Sequence, residues 1–113
     1  MLKFLLCVAI LIETIATTFL KLSDGFTKPL FSFITILGYI VSFYLLSIIV
    51  KELPIGIVYA VWSGMGIILI SFIGYFLFEQ SLNISSLTGI AFIIIGVVLV
   101  NFYSTQFQIK SVI

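Results

Sequence analysis

Residues 2–22 read LKFLLCVAILIETIATTFLKL, and they carry one carboxylate in the middle of an otherwise apolar run. Between Lys3 and Lys21 every residue is apolar, small or hydroxylated, except Glu13. A helix rises about 1.5 Å per residue, so Glu13 lies roughly 15 Å from Lys3, near the centre of a hydrocarbon layer about 30 Å thick. A charged carboxylate at that depth costs on the order of 3 kcal/mol or more. This stretch predicts a membrane span built around an ionisable group, and the rest of the chain is consistent with it.

Of the 113 residues, 63% are hydrophobic and 8% are charged, far below the roughly 25% charged residues of an average soluble domain. The net charge of +1 leaves no polybasic footprint, so no nucleic-acid partner is expected. All five cations are Lys, and His is absent. The single cysteine, Cys7, excludes an internal disulfide, and no Cys/His cluster points to a metal or another cofactor. Lys3 before Phe4-Leu5-Leu6-Cys7 has the look of a secretory signal, but the apolar run before Cys7 is short and Glu13 interrupts it.

The remaining charges cut the sequence into uncharged runs: Pro29 to Val50, Leu53 to Phe78, and Gln80 to Ile109. About 20 apolar residues suffice to cross a bilayer. The expectation is an all-α membrane protein, one domain over 1–113, with helices near 2–22, 30–50, 55–77 and 86–104. Ser23-Asp24-Gly25 supplies a helix stop, Pro29 and Pro54 suit helix starts, and Asn83, Ser85 and Ser86 offer caps before the fourth helix. The loops are a few residues long and hold no soluble domain for an enzyme.

Four spans place Lys3, Lys51 and Lys110 on one side and Lys21 and Lys28 on the other. Three against two is a weak orienting bias under the positive-inside rule. A chain so weakly oriented is expected to insert both ways, which permits an antiparallel homodimer surrounded by membrane lipid. Four short helices enclose little space, so a ligand site at Glu13 is more easily built between two copies.

Glu13 has two readings. One is a structural carboxylate hydrogen-bonded inside the bundle. The other is a functional group that relieves its cost by taking up a proton or by holding a cation. Ala9 and Ala16, on the same helix face, leave room beside it. Thr17, one turn on, either bonds the carboxylate or bonds back to its own helix. Tyr39 and Ser42 share a face of the second helix, and Tyr59, Trp62 and Ser63 share a face of the third. Such aromatics either anchor a membrane interface, as Tyr59 and Tyr103 could, or form a wall that attracts organic cations. Gly64-Met65-Gly66 offers close packing or a hinge. Gly89 and Gly96 lie seven apart on one face of the fourth helix, where small residues suit a dimer interface.

Two stretches carry a family resemblance: Glu13-Thr14-Ile15-Ala16-Thr17-Thr18 through Thr27, and the run Leu53-Pro54-Ile55-Gly56-Ile57-Val58-Tyr59-Ala60-Val61-Trp62-Ser63-Gly64-Met65-Gly66. Together they resemble the small multidrug resistance family of bacterial four-helix transporters, over about residues 6–101. The resemblance implies an antiparallel dimer in the bacterial cytoplasmic (inner) membrane, exchanging protons for small organic cations by alternating access. It implies a site lined by Glu13, Tyr39, Tyr59 and Trp62, a bend at Gly64-Met65-Gly66, and a dimer contact through Gly89 and Gly96. Ala16-Thr17-Thr18 and Tyr39 look like the branch that exports quaternary ammonium compounds. Guanidinium or polyamine export within the same family is the nearest alternative, and a non-transporting accessory membrane subunit is the other. Lys3 stands where some drug-exporting relatives carry an aromatic.

Overall fold

The computed structural model describes the backbone of residues 1–112 and the side chains of residues 1–102. Tyr103 and Lys110, used above, therefore lie outside the described side chains. The described residues form four helices and no strand: α1 (Leu2–Leu22), α2 (Pro29–Ile49), α3 (Ile55–Phe78) and α4 (Ile84–Val112). Each contains a stretch long and apolar enough to cross a membrane, in α4 the segment Ile84–Phe102. Large apolar side chains such as Phe33, Tyr44, Phe76 and Phe92 stand exposed on them. Helices that are apolar on every side suit lipid, where the backbone is satisfied within each helix and the side chains need no water-facing stripe.

The helix ends follow local chemistry. Pro29 begins α2 at a position that has no use for an N–H. Pro54, in extended backbone, caps α3. The fourth helix starts at Ile84, two residues before the position expected from its serines. The Asn83 side-chain oxygen accepts the Ser86 N–H at 2.8 Å and so captures the first turn. At the end of α3, Glu79 takes a left-handed conformation (φ 55°), and the Gln80 N–H donates back to the Gly74 carbonyl at 2.9 Å.

The chain divides into two compact units, residues 1–53 and 54–113. In the first, α1 packs along α2. The rings of Phe19 and Phe31 meet with centroids 5.7 Å apart. The buried positions of α1 include Ala9, Ile10, Thr14, Ala16 and Thr18; those of α2 are Thr35, Ser42 and Ile49. Small and hydroxylated residues let helices approach closely in a membrane. The hydroxyls of Thr14, Thr18 and Thr35 donate to the carbonyls four residues earlier, so they are buried without an orphaned donor.

Ser23, fully buried, organises the turn between α1 and α2. Its hydroxyl donates to the Leu20 carbonyl at 2.6 Å and accepts the Phe26 N–H at 3.1 Å. Its own carbonyl accepts the N–H groups of Thr27 and Lys28. These bonds hold three consecutive left-handed residues, Asp24 (φ 52°), Gly25 (φ 70°) and Phe26 (φ 65°). Left-handed backbone is routine for Gly but costs an L-residue such as Phe roughly 1–2 kcal/mol, which the bonds to Ser23 offset.

In the second unit, α3 packs on α4. A β-carbon built on Gly64 would lie 2.7 Å from Val97 Cγ2, so Gly64 is a site of close helix packing. α3 stays helical through Gly64-Met65-Gly66. Of the two roles open to Gly64 from sequence, this structure displays packing.

Candidate functional site

The site is built on α1. Its central turns carry Glu13 and, four residues on, Thr17, which the helical repeat places on the same face. The Thr17 hydroxyl donates to Glu13 Oε1 at 2.9 Å. Of the two partners open to Thr17 from sequence, the carboxylate is the one it takes. Thr14 and Thr18, on the neighbouring face, bond back to the helix instead.

The third member comes from α2. The Tyr39 hydroxyl oxygen lies 2.8 Å from Thr17 Oγ1. Glu13, Thr17 and Tyr39 are all half-buried, so the carboxylate is reachable but not freely solvated. The two other charges on α1, Lys3 and Lys21, stand ten and eight residues along it, about 15 and 12 Å at the helical rise. Hydroxyls, not an ammonium, are what this helix pair sets against the carboxylate.

Gly38 accounts for the register. A β-carbon added there would lie 2.7 Å from the Ala16 β-carbon. The α2 backbone therefore rests on Ala16, and the next residue of each helix, Tyr39 and Thr17, meets the other. Sequence reasoning missed Gly38. The signal was there, since it is the single glycine of an α2 otherwise rich in bulky residues. Ala16, expected to leave room beside the carboxylate, instead gives its room to α2. Ala9 is fully buried. Ser42, also fully buried, donates to the Tyr39 backbone carbonyl at 3.1 Å and stiffens the turn that presents the phenol.

Tyr59, Trp62 and Ser63 belong to the second unit, spaced along one face of α3. Tyr59 is 70% exposed, Ser63 is exposed and Trp62 is half-buried. On α4, an added β-carbon at Gly89 or Gly96 would meet nothing within 4 Å among the described residues, so both glycines present open backbone there. Among the described residues no three of His, Cys, Asp and Glu gather as metal ligands would.

Residues 1–94 match the family model described as Small Multidrug Resistance protein. The chain belongs to the small multidrug resistance family. Among curated small multidrug resistance relatives it is 42% identical to a multidrug transporter of Pseudomonas aeruginosa over 99 residues, covering 88% of this chain and 90% of that one. It is 44% identical to the quaternary ammonium compound-resistance protein QacE of Escherichia coli over 99 residues, with the same coverage. It is 42% identical to the quaternary ammonium compound-resistance protein QacG of a Staphylococcus species over 98 residues, covering 87% and 92%. Small multidrug resistance proteins are transporters rather than enzymes. With four helices of spanning length, this member is a multi-pass inner-membrane protein.

Proposed function

We propose that this protein is a proton-coupled antiporter that exports lipophilic and quaternary ammonium cations, with proton and cargo competing for Glu13. The observation that carries the reading is the Glu13–Thr17–Tyr39 cluster: a half-buried carboxylate deep in an apolar helix, held by hydroxyls. Such a group is costly when charged and alone, so it binds either a proton or a cation. The relatives named for quaternary ammonium resistance favour that cargo class over guanidinium or polyamines.

In this proposal two copies insert with opposite orientations and pair their Glu13 carboxylates at one shared site. Tyr39, Tyr59 and Trp62 form the aromatic wall for the cation, with attraction of about 0.5–2 kcal/mol per favourable ring contact. Ala9, Thr17, Ser42 and Ser63 shape the surroundings. The open backbone at Gly89 and Gly96 is the seam between copies, and Gly64 and Gly66 allow α3 to bend as access alternates. All four helices act as one transmembrane domain.

Proteoliposomes with an imposed pH gradient test the reading. The wild-type protein should move tetraphenylphosphonium against the proton flow, and Glu13→Gln should abolish that movement. Undiminished gradient-driven movement in Glu13→Gln would overturn the proposal.

A further inference from the structure

Thr17 has one hydroxyl proton, and it is given to Glu13 Oε1 at 2.9 Å. The Thr17 hydroxyl oxygen itself lies 2.8 Å from the Tyr39 hydroxyl oxygen. With the Thr17 proton committed to the carboxylate, Tyr39 must be the donor in the second bond. While Glu13 is charged, the chain therefore runs in one direction: Tyr39 O–H to Thr17 Oγ1, and Thr17 O–H to Glu13 Oε1. The charge at its end strengthens both links.

We infer that Thr17 is a positioning residue that makes Tyr39 register the proton on Glu13, because protonation turns this hydroxyl chain round. A proton on Oε1 finds an acceptor already in place, the Thr17 oxygen. Thr17 then accepts from Glu13 and donates to the Tyr39 oxygen. The Tyr39 O–H swings away and becomes free to donate elsewhere. One proton is added and stays on Glu13; no heavy-atom bond changes, and two hydroxyls rotate.

The other titratable groups of the α1–α2 unit lie away from this chain, and Asp24, Lys28, Lys51 and Glu52 fall outside both helices, in the segments that flank them. On α1, Lys3 and Lys21 stand at the helix ends and Cys7 is exposed. α2 carries no charged residue, and its other phenol, Tyr44, is 66% exposed. Two consequences follow. The Tyr39–Thr17 bond that ties α2 to α1 is polarised through Thr17 by the charge when Glu13 is ionised and is weaker when it is protonated. The phenol donor is locked to Thr17 in the first state and offered to its surroundings in the second.

The inference rests on Glu13 being the proton site, and its test is done without cargo so that the two ideas fail separately. The full-length protein in lipid nanodiscs carries carbon-13 at Tyr Cζ and Glu Cδ, with the Tyr39 signal assigned by its loss in Tyr39→Phe. In wild type, Tyr39 Cζ should shift with the same midpoint as Glu13 Cδ. In Thr17→Val, Glu13 should still titrate while Tyr39 loses its shift, and Thr17→Ser should restore it. A Tyr39 signal that stays still while Glu13 titrates in wild type would overturn the inference, whatever the variants do. So would a Tyr39 signal that follows Glu13 equally well in Thr17→Val, since a through-space field would then suffice. A Glu13 that does not titrate overturns the transport mechanism itself, and this inference with it.

Discussion

Gly38 of α2 rests on Ala16 of α1, so closely that a β-carbon on Gly38 would come within 2.7 Å of the Ala16 β-carbon. The α2 half of the cluster at the carboxylate depends on that contact. It sets the distance between the helices and the register that brings Tyr39 to Thr17.

Gly38→Ala should therefore push the helices apart, break the Tyr39–Thr17 bond and cost about 1–3 kcal/mol, as overpacking does. Thermal unfolding in detergent measures the loss. Ala16→Gly in the same chain should recover much of it, because it removes the atom that clashes. A double variant no more stable than Gly38→Ala would show that the contact is not the cause.

Gly64→Ala makes the corresponding test in the other helix pair. Its new methyl would meet Val97 Cγ2 at 2.7 Å, the end of a side chain that can turn about χ1, whereas the Ala16 β-carbon is fixed to its backbone. The expected loss is about 1–2 kcal/mol, the lower part of the range for overpacking, because a γ-methyl that can rotate yields more readily than a β-carbon. Val97→Ala alongside it should relieve the strain, and the coupling read from the four-member cycle should exceed about 0.5 kcal/mol.

The turn between α1 and α2 should be sensitive at Ser23 and less so at Gly25. Ser23→Ala removes the donor to Leu20 and the acceptor for Phe26, leaving the left-handed run only the bonds to the Ser23 carbonyl. A loss of about 1–3 kcal/mol is expected for a buried group left unpaired. At Gly25 the space is open, so Gly25→Ala should cost only the left-handed conformation, about 1 kcal/mol, and Gly25→Asn less. Chemical or thermal denaturation ranks the three; equal losses would contradict this division.

Gly89→Leu and Gly96→Leu should leave helix content unchanged, since among the described residues nothing lies within 4 Å of the added β-carbon. If α4 is the seam between two copies, both should shift the protein from dimer to monomer. Native mass spectrometry from detergent and cysteine cross-linking in membranes measure this. Wild-type dimer content in both variants would remove α4 from the interface.

Much of the architecture was legible because hydrophobic run length and charge position are local properties. Three uncharged runs and a first one interrupted by Glu13, bounded by Lys21, Asp24, Lys28, Lys51, Glu52 and Glu79, became four helices. Glu13 stood out for the same reason: a carboxylate inside an apolar run is visible without any fold. Thr17 was half legible, since the helical repeat puts it beside Glu13 but does not choose between the carboxylate and the backbone.

Pairing across helices was not legible, because it depends on which faces meet and how closely. Nothing in the order of residues says that Gly38 lies on Ala16, that Thr17 gives its proton to Glu13, or that Tyr39 completes the chain. Nor does it say that Gly64 is filled by Val97, or that Ser23 steadies three left-handed residues in succession. The residue sequence settled where helices run and where the costly charge sits, since local hydrophobicity governs both. The packed structure settled what the charge touches, because a hydrogen bond of 2.8 Å between two helices exists only once a missing side chain has let their backbones approach.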